Sequence, residues 1–202
     1  MSFYGRVVVP RMIDLVMRNA GATERRAVLI PQATGAVLEV GIGSGLNLPF
    51  YGAAVERVTG VDPSPELLAR TRAKLRALPF PVELVCRSAE DLPASDASVD
   101  TVVTTWTLCS IPDPLAALRE MKRVLKPGGR LLFVEHGFCP DGSVHVWQDR
   151  LNPVWRRISG GCNLNRKIDE LLPAAGWTIA TLTRDHLPGP RMMTHTYQGS
   201  AV

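Results

Sequence analysis

The run Val37-Leu38-Glu39-Val40-Gly41-Ile42-Gly43-Ser44-Gly45, followed by a second apolar stretch that ends Gly60-Val61-Asp62, leaves little freedom for the fold. An apolar strand breaking into three alternate glycines, with an acid closing the next strand, builds a nucleoside pocket at the carboxyl edge of a parallel sheet. The glycine spacing then selects the cofactor. A dinucleotide fingerprint reads G-x-G-x-x-G, and Leu46 stands where its third glycine would be. Glu39 closes the strand two residues before Gly41, where its carboxylate would repel a pyrophosphate and attract a cation. S-Adenosylmethionine fits this pattern, with its sulfonium, ammonium, single carboxylate and ribose hydroxyls. Gly41, Gly43 and Gly45 would make the turn, Glu39 would face the cationic part, and Asp62 would accept from the ribose. Asn47, Pro63 and Ser64 flank the two motifs and join the expected cofactor set, as does Thr105 at the end of a later strand. The competing reading is a tight strand-to-helix turn with no ligand.

Composition excludes several classes. At 202 residues and 46% hydrophobic the chain is expected to be one domain with a full core. It divides into an N-terminal helical cap (1–30), a cofactor-binding core (31–136) and substrate-side helices with closing strands (137–202). No stretch reaches the roughly 18 continuous apolar residues that span a bilayer, and the N-terminus lacks the pattern of a signal peptide. A cytoplasmic protein with at most peripheral membrane contact is expected. Cys86, Cys109, Cys139 and Cys162 are widely spaced, without a C-x-x-C pair or a histidine at zinc-site spacing, so no metal and no disulfide framework is expected. The net charge of +4 arises after residue 100, where twelve basic side chains face eight acidic ones. Without an aromatic-basic stripe, that mild excess does not indicate nucleic-acid binding.

Strands and helices alternate along the chain, the signature of an α/β fold with a parallel sheet covered on both faces. Strands read at about 36–40, 57–61, 82–86, 99–105 and 130–135, with a short helical turn near 47–53. A long helix is predicted from Ser64 through Leu78 and another from Pro114 to Leu125, stopped by Lys126-Pro127-Gly128-Gly129. Helical patterns near 143–158 and 166–175 precede two β-like runs, Trp177–Thr183 and Met193–Gln198, which make the last strand antiparallel. The expected product is a Rossmann-like, mostly parallel sheet of seven strands in the order 3-2-1-4-5-7-6.

Ser88, Ala89 and Glu90 follow strand three, where they would meet an adenine edge, although Glu90 and Asp91 also suit a solvated loop. Thr105-Trp106-Thr107-Leu108-Cys109-Ser110 would lie beneath the transferable methyl, with core packing as the alternative for Trp106. Near the N-terminus, Phe3-Tyr4 and Val7-Val8-Val9-Pro10 lead into a helix with Arg11, Asp14 and Arg18 opposite Met12, Ile13, Leu15 and Val16. It would cap the active site, pack on the sheet or lie on a lipid surface, and Tyr4 and Arg11 are candidates to touch substrate.

The order of motifs resembles the class I S-adenosylmethionine-dependent methyltransferases over nearly the whole chain, through Leu38–Gly45, Val61–Ser64, Ser88–Pro93 and Arg123–Gly129. Within that class, Leu108-Cys109-Ser110, Val134-Glu135-His136, Trp147-Gln148 and Gly161-Cys162-Asn163-Leu164-Asn165-Arg166 resemble the branch that methylates alkyl thiols. Bacterial members of that branch are often labelled phospholipid or quinone methyltransferases. Its animal members carry a hydrophobic N-terminal anchor to which nothing here is comparable. The resemblance implies in-line transfer of a methyl to a small-molecule acceptor, most simply an alkyl thiol or hydrogen sulfide.

A thiol reaches its thiolate near neutral pH, whereas a hydroxyl or phenol wants a general base. His136, at the end of strand five, is the candidate base, or else a histidine hydrogen-bonded between strand and helix. Asp149, Asn163 and Arg166 are candidate substrate-side groups, and Arg166 has the alternative of an ion pair with Glu135 or Asp169. Three further readings remain: methylation of a lipid headgroup or quinone ring, arsenite methylation through Cys109, Cys139 and Cys162, and a non-catalytic cofactor-binding protein. The acceptor and the oligomeric state are not legible in the sequence.

Overall fold

The computed structural model describes residues 9–202. Two short helices come first, α1 (Val9–Val16) and α2 (Ala20–Leu29), and the Asn19 side chain caps the second by accepting from the Ala22 N–H at 2.9 Å. Then β1 (Gly35–Val40), β2 (Val55–Val61), α3 (Pro65–Arg72), β3 (Val82–Val85), β4 (Val99–Thr105), α4 (Pro114–Val124) and β5 (Leu125–His136) alternate. They are followed by α5 (Gly142–Ile158), α6 (Ile168–Ala174), β6 (Ile179–His186), a short α7 (Arg191–Thr194) and β7 (His195–Ala201). The sheet order is β3-β2-β1-β4-β5-β7-β6, as the sequence predicts. β7 runs antiparallel between β5 and β6.

Successive strand residues point to opposite faces, and each face has its own helices to meet. Leu38, Val40 and Val102 pack with Leu118 and Met121 of α4 and with Ile168 and Leu172 of α6. Val37, Val58, Val103 and Val134 pack on the other side with Leu29 of α2, Leu68 of α3, Tyr51 and Phe80. Two helices start where a cap and a proline coincide. Ser64 Oγ accepts from the Leu67 N–H at 3.2 Å ahead of Pro65, and Asp113 Oδ1 accepts from the Leu115 and Ala116 N–H groups ahead of Pro114.

Several boundaries differ from the sequence reading. The helix expected from Ser64 to Leu78 ends at Arg72 and gives way to a 3-10 turn at Leu75–Ala77. Pro79 forces Leu78 out of the helical region, and the chain turns to set Phe80 edge-on to Tyr51. The helical turn near 47–53 is a 3-10 turn at Leu48–Phe50. Lys126–Gly129 does not simply terminate a helix. α4 ends at Val124, and pairing jumps from Val99–Leu125 to Thr101–Arg130, so the segment bows out of the strand. A proline has no N–H to give to the ladder, and Gly128, at φ +82°, supplies the reversal. β6 begins at Ile179 rather than Trp177, because Trp177 is buried in the core with its Nε1 donating to the Leu118 carbonyl at 3.0 Å. β7 begins at His195 rather than Met193, after residues 191–194 coil into α7.

α1 turns its acid inward. Asp14 is buried against the glycine loop, while Leu15 and Val16 are 73% and 58% exposed. Phe3, Tyr4, Val7 and Val8 lie outside the described residues, and with them the suggested contact of Tyr4 with substrate. Among the described residues no helix is long and apolar enough to cross a membrane.

Candidate active site

Beyond the carboxyl ends of β1, β2 and β4 lies a cavity of about 550 Å³, walled on one side by Ile13, Asp14 and Met17. Its floor is the glycine turn. Gly41 and Gly43 have φ of +73° and +55°, and the Gly41 and Ile42 N–H groups both donate to the Val61 carbonyl, tying the turn to β2. A Cβ at Gly43 would meet nothing nearer than 3.8 Å, so bare backbone faces the cavity there. Gly45 N–H closes the loop onto the Ile42 carbonyl at 2.9 Å. The loop is clamped from behind: Thr71 Oγ1 donates to the Gly43 carbonyl at 2.7 Å, Lys74 to the Ser44 carbonyl, and the Ser44 hydroxyl to Asp14. Asp14 also receives Arg18 and Arg70 at 2.9 and 3.2 Å. Burial opposes its ionisation, but the Ser44 hydroxyl and Arg18 hold its carboxyl below the usual range.

Two buried carboxylates face the cavity. Asp62, at the end of β2, is oriented by the Gly43 N–H at 2.9 Å and the Ser64 N–H at 2.8 Å, one on each oxygen, which leaves lone pairs for ribose hydroxyls. Burial raises its pKa, with the two N–H groups pulling the other way. Glu39 is held by Asn47 at 2.9 Å and the Tyr51 hydroxyl at 2.8 Å. Asn47 also donates to Thr105 Oγ1 at 3.0 Å and accepts from Arg26 Nε at 3.0 Å. Arg26 is buried over the Trp106 ring, 4.8 Å from its centroid, and its pKa falls to about 10 through burial. Arg26 and Glu39, bridged by Asn47, match the carboxylate and ammonium of an amino-acid moiety, and Asp62 matches a ribose, so these residues fit S-adenosylmethionine.

Burial raises the Glu39 pKa from 4.5 to about 7, against the pull of Tyr51, Asn47 and Arg26. The unfolded chain binds fewer protons at this group, so its contribution to stability falls as pH rises from 4.5 to about 7. A cationic ligand has the opposite preference and favours the ionised form. Cofactor affinity is therefore expected to rise with pH up to about 7, with proton release on binding near pH 6. Calorimetric titration in buffers of different ionisation enthalpy measures that release, and an absence of proton exchange removes Glu39 as the cation's partner.

Ser88, Ala89, Glu90, Pro63 and Ser64 line the same cavity. Glu90 is tied down by the Ser88 hydroxyl and by the Asp113 N–H at 3.2 Å. Asp91 instead pairs with Arg87 at the surface. At the far end stand Trp106, Thr107, Ser110 and Ile111, with Arg157 and Gly160 across from them. Trp106 is at φ +51°, a strained conformation for a bulky residue, held by its N–H donating to Val134 O at 2.8 Å.

The three candidate catalytic residues lie behind this wall and do not line the cavity. Asn163 donates to the Cys109 carbonyl at 2.8 Å. Arg166 donates to the Leu108 and Ile111 carbonyls. Neither ion pair suggested for Arg166 forms the observed contact: Asp169 takes Arg184, and Glu135 takes Thr104 Oγ1 and the Thr107 and Leu108 N–H groups. Burial raises Glu135 to about 7. His136 Nδ1 lies 3.8 Å from Cys162 Sγ. The Cys109 thiol, then His136, lower the Cys162 pKa, while Cys109 is raised. Asp149 is bound to Asn165 at 2.7 Å. Arg11 is exposed and outside the cavity wall. The three thiols of the arsenite reading do not gather, since Cys139 groups with His186 and His195 instead.

Sequence reasoning missed Arg26, Tyr51 and Arg157. Arg26 sits in a Glu-Arg-Arg run that reads as a solvated helix face, and no motif marks it. Asp14 lies on the polar face of its helix, and nothing local in the sequence signals that this face points inward.

The family model described as a methyltransferase domain matches residues 38–133. Human thiol S-methyltransferase TMT1B is 36% identical over 78% of this chain and 68% of its own length. The phosphatidylethanolamine N-methyltransferase of Cereibacter sphaeroides is 41% identical over 55% of this chain and 56% of its own. The chain spans 55% of the length of the rat TMT1B, so relatives of this kind extend well beyond it. Among solved structures, a S-adenosylmethionine-dependent methyltransferase from Leishmania major has a TM-score of 0.72 at 15% identity, covering 98% of this chain and 80% of that one. At that identity the likeness is one of fold. The identity to the human relative, over two thirds of its length, carries the assignment: the chain belongs to the S-adenosylmethionine-dependent methyltransferases.

Proposed function

We propose that the chain transfers a methyl group from S-adenosylmethionine to the sulfur of a small alkyl thiol or hydrogen sulfide. The observation that carries this reading is the acceptor end of the cavity, where Trp106 and Ile111 give an apolar wall, Thr107 and Ser110 give hydroxyls, and Arg157 gives a positive charge. That environment suits an anionic sulfur nucleophile. The likeness to the thiol S-methyltransferases points the same way. When bound, the cofactor supplies a methyl on a sulfonium, whose positive charge already activates the leaving group.

The protein's share is then position and exclusion of water. Arg26 and Glu39 hold the amino-acid end, Asp62 the ribose, and Ser88, Ala89 and Glu90 the adenine side. Asn163 and Arg166 act as positioning residues, because their bonds to the carbonyls of 108, 109 and 111 set the course of the segment that carries Ser110 and Ile111. His136 stands behind that segment, off the cavity wall and with Nδ1 facing Cys162, so it is not placed to take a proton from the acceptor, and a thiol does not require it to.

A second reading, methylation of an amphiphilic acceptor at a lipid surface, is favoured by the outward apolar side of α1 at Leu15 and Val16 and by Val154 on α5. Isotopically labelled methyl offered with small thiols, hydrogen sulfide, aminophospholipid vesicles and a demethylquinol separates the two. Labelled thioether is the expected product. Label found only in lipid or quinol replaces the first reading with the second.

A further inference from the structure

Three motifs singled out in the sequence, around Cys109, His136 and Cys162, arrive at one point from separate places: the loop after β4, the end of β5 and the loop after α5. Their two sulfurs and one ring nitrogen all lie within 4.8 Å of one another. Cys109 and His136 are 3% and 7% exposed. None is committed to a strong partner. Besides the Cys162 thiol, Cys109 Sγ has long contacts of 3.6 Å to the Trp106 carbonyl and 3.5 Å to Ser110 Oγ, and His136 Nε2 is buried without a hydrogen-bond partner among the described residues.

Two thiols and an imidazole form a borderline-soft donor set. With both sulfurs as thiolates, a divalent cation makes the buried centre neutral, which a low-dielectric interior tolerates far better than an unpaired thiolate. Bonds of about 2.3 Å to sulfur and about 2.0 Å to nitrogen put tetrahedral donor edges at roughly 3.5–3.8 Å where sulfur takes part. The 3.8 Å between Cys162 Sγ and His136 Nδ1 is within about 0.3 Å of the sulfur–nitrogen edge, the shorter of these.

We propose that Cys109, His136 and Cys162 bind a divalent cation of the Zn²⁺ class through two thiolates and one imidazole. The fourth position of the tetrahedron is left to water or to an exogenous donor. Sequence spacing did not announce the site because its ligands come from three segments, separated by 26 residues or more, that only the sheet edge brings together. Binding of the ion is independent of which acceptor is methylated. A second group, Cys139 with His186 and His195, offers one thiolate and would leave part of a divalent charge uncompensated, so it serves as the comparison.

The test adds equimolar Co²⁺ to the reduced, metal-free full chain under anaerobic conditions. One ion per chain is expected, with thiolate-to-cobalt charge-transfer absorption and intense visible bands of a tetrahedral ion, both abolished by Zn²⁺. Cys109→Ser and Cys162→Ser should each weaken binding at least about tenfold and reduce the charge-transfer intensity, while Cys139→Ser changes neither. The absence of charge-transfer absorption at equimolar Co²⁺, or its survival in Cys162→Ser with loss in Cys139→Ser, overturns the proposal. A measurement on the unmodified protein guards against variants that fail to fold. Zn²⁺ should slow alkylation of Cys109 and Cys162, read peptide by peptide, and leave Cys86 and Cys139 unaffected. Alkylation unchanged by Zn²⁺, or protection of Cys139 alone, also overturns it.

Discussion

Asp62→Ala is expected to weaken S-adenosylmethionine binding by roughly ten- to a hundredfold, the equivalent of losing charge-assisted hydrogen bonds worth about 1–3 kcal/mol. Two effects act together. The ribose hydroxyls lose their acceptor, and the Gly43 and Ser64 N–H groups lose the carboxylate that fixes the loops on either side of the ribose. Asp62→Asn separates them, since its amide oxygen keeps one of the two backbone bonds while the negative charge is lost, and it should fall between the wild type and Asp62→Ala. Calorimetric titration with the cofactor measures all three proteins. Affinity unchanged in Asp62→Ala would remove this residue from the ribose site. Equal losses in both variants would show that the charge, rather than the loop geometry, carries the interaction.

Gly41→Ala should be the most damaging single change to the fold of the site. A Cβ there would stand 2.1 Å from Thr107 Oγ1 and 2.8 Å from Thr107 Cβ, and Thr107 is held in place by its bond to the Thr105 carbonyl at 3.0 Å. Adopting φ +73° costs an alanine about 1–2 kcal/mol, and displacing a packed neighbour about 1–3 kcal/mol more. The sum, roughly 2–5 kcal/mol, corresponds to a fall of about 4–20 °C in melting temperature for a chain of this size. Gly43→Ala is the internal comparison. It carries the backbone cost at φ +55° without the collision, because its nearest neighbour is 3.8 Å away, so it should lose only the smaller part. Thr107→Gly added to Gly41→Ala should recover part of the loss. Equal melting temperatures for the Gly41 and Gly43 variants would show that the turn relaxes away from Thr107.

Much of the fold was legible because its signals are local. The valine- and leucine-rich segments at 37–40, 58–61, 99–103 and 131–134 read as buried strands, and Pro65 and Pro114 mark helix starts next to capping side chains. The errors fall where tertiary contacts overrule a local pattern. Helical periodicity runs on through Leu78, yet α3 ends at Arg72, and Leu78 is extended ahead of Pro79. Trp177 reads as the start of a strand, but its indole is taken up by the Leu118 carbonyl and the core around it. For the site, the glycine turn and Asp62 belong to a compact stretch whose spacing alone implies a nucleoside pocket. Asn163 and Arg166 have the chemistry of substrate-side groups, but their surroundings turn them toward backbone carbonyls and away from the cavity.

The alternation of strands and helices, the glycine turn and the acids at the ends of β1 and β2 were all legible in the chain, because each rests on neighbours within a few residues. That Arg26 meets Glu39 through Asn47, that Asp14 faces inward while Leu15 faces out, and that Cys109, His136 and Cys162 converge emerges from packing in three dimensions. Burial and partner choice at those positions depend on segments far apart in the chain, and a side chain's chemistry does not reveal which distant group will occupy the space beside it.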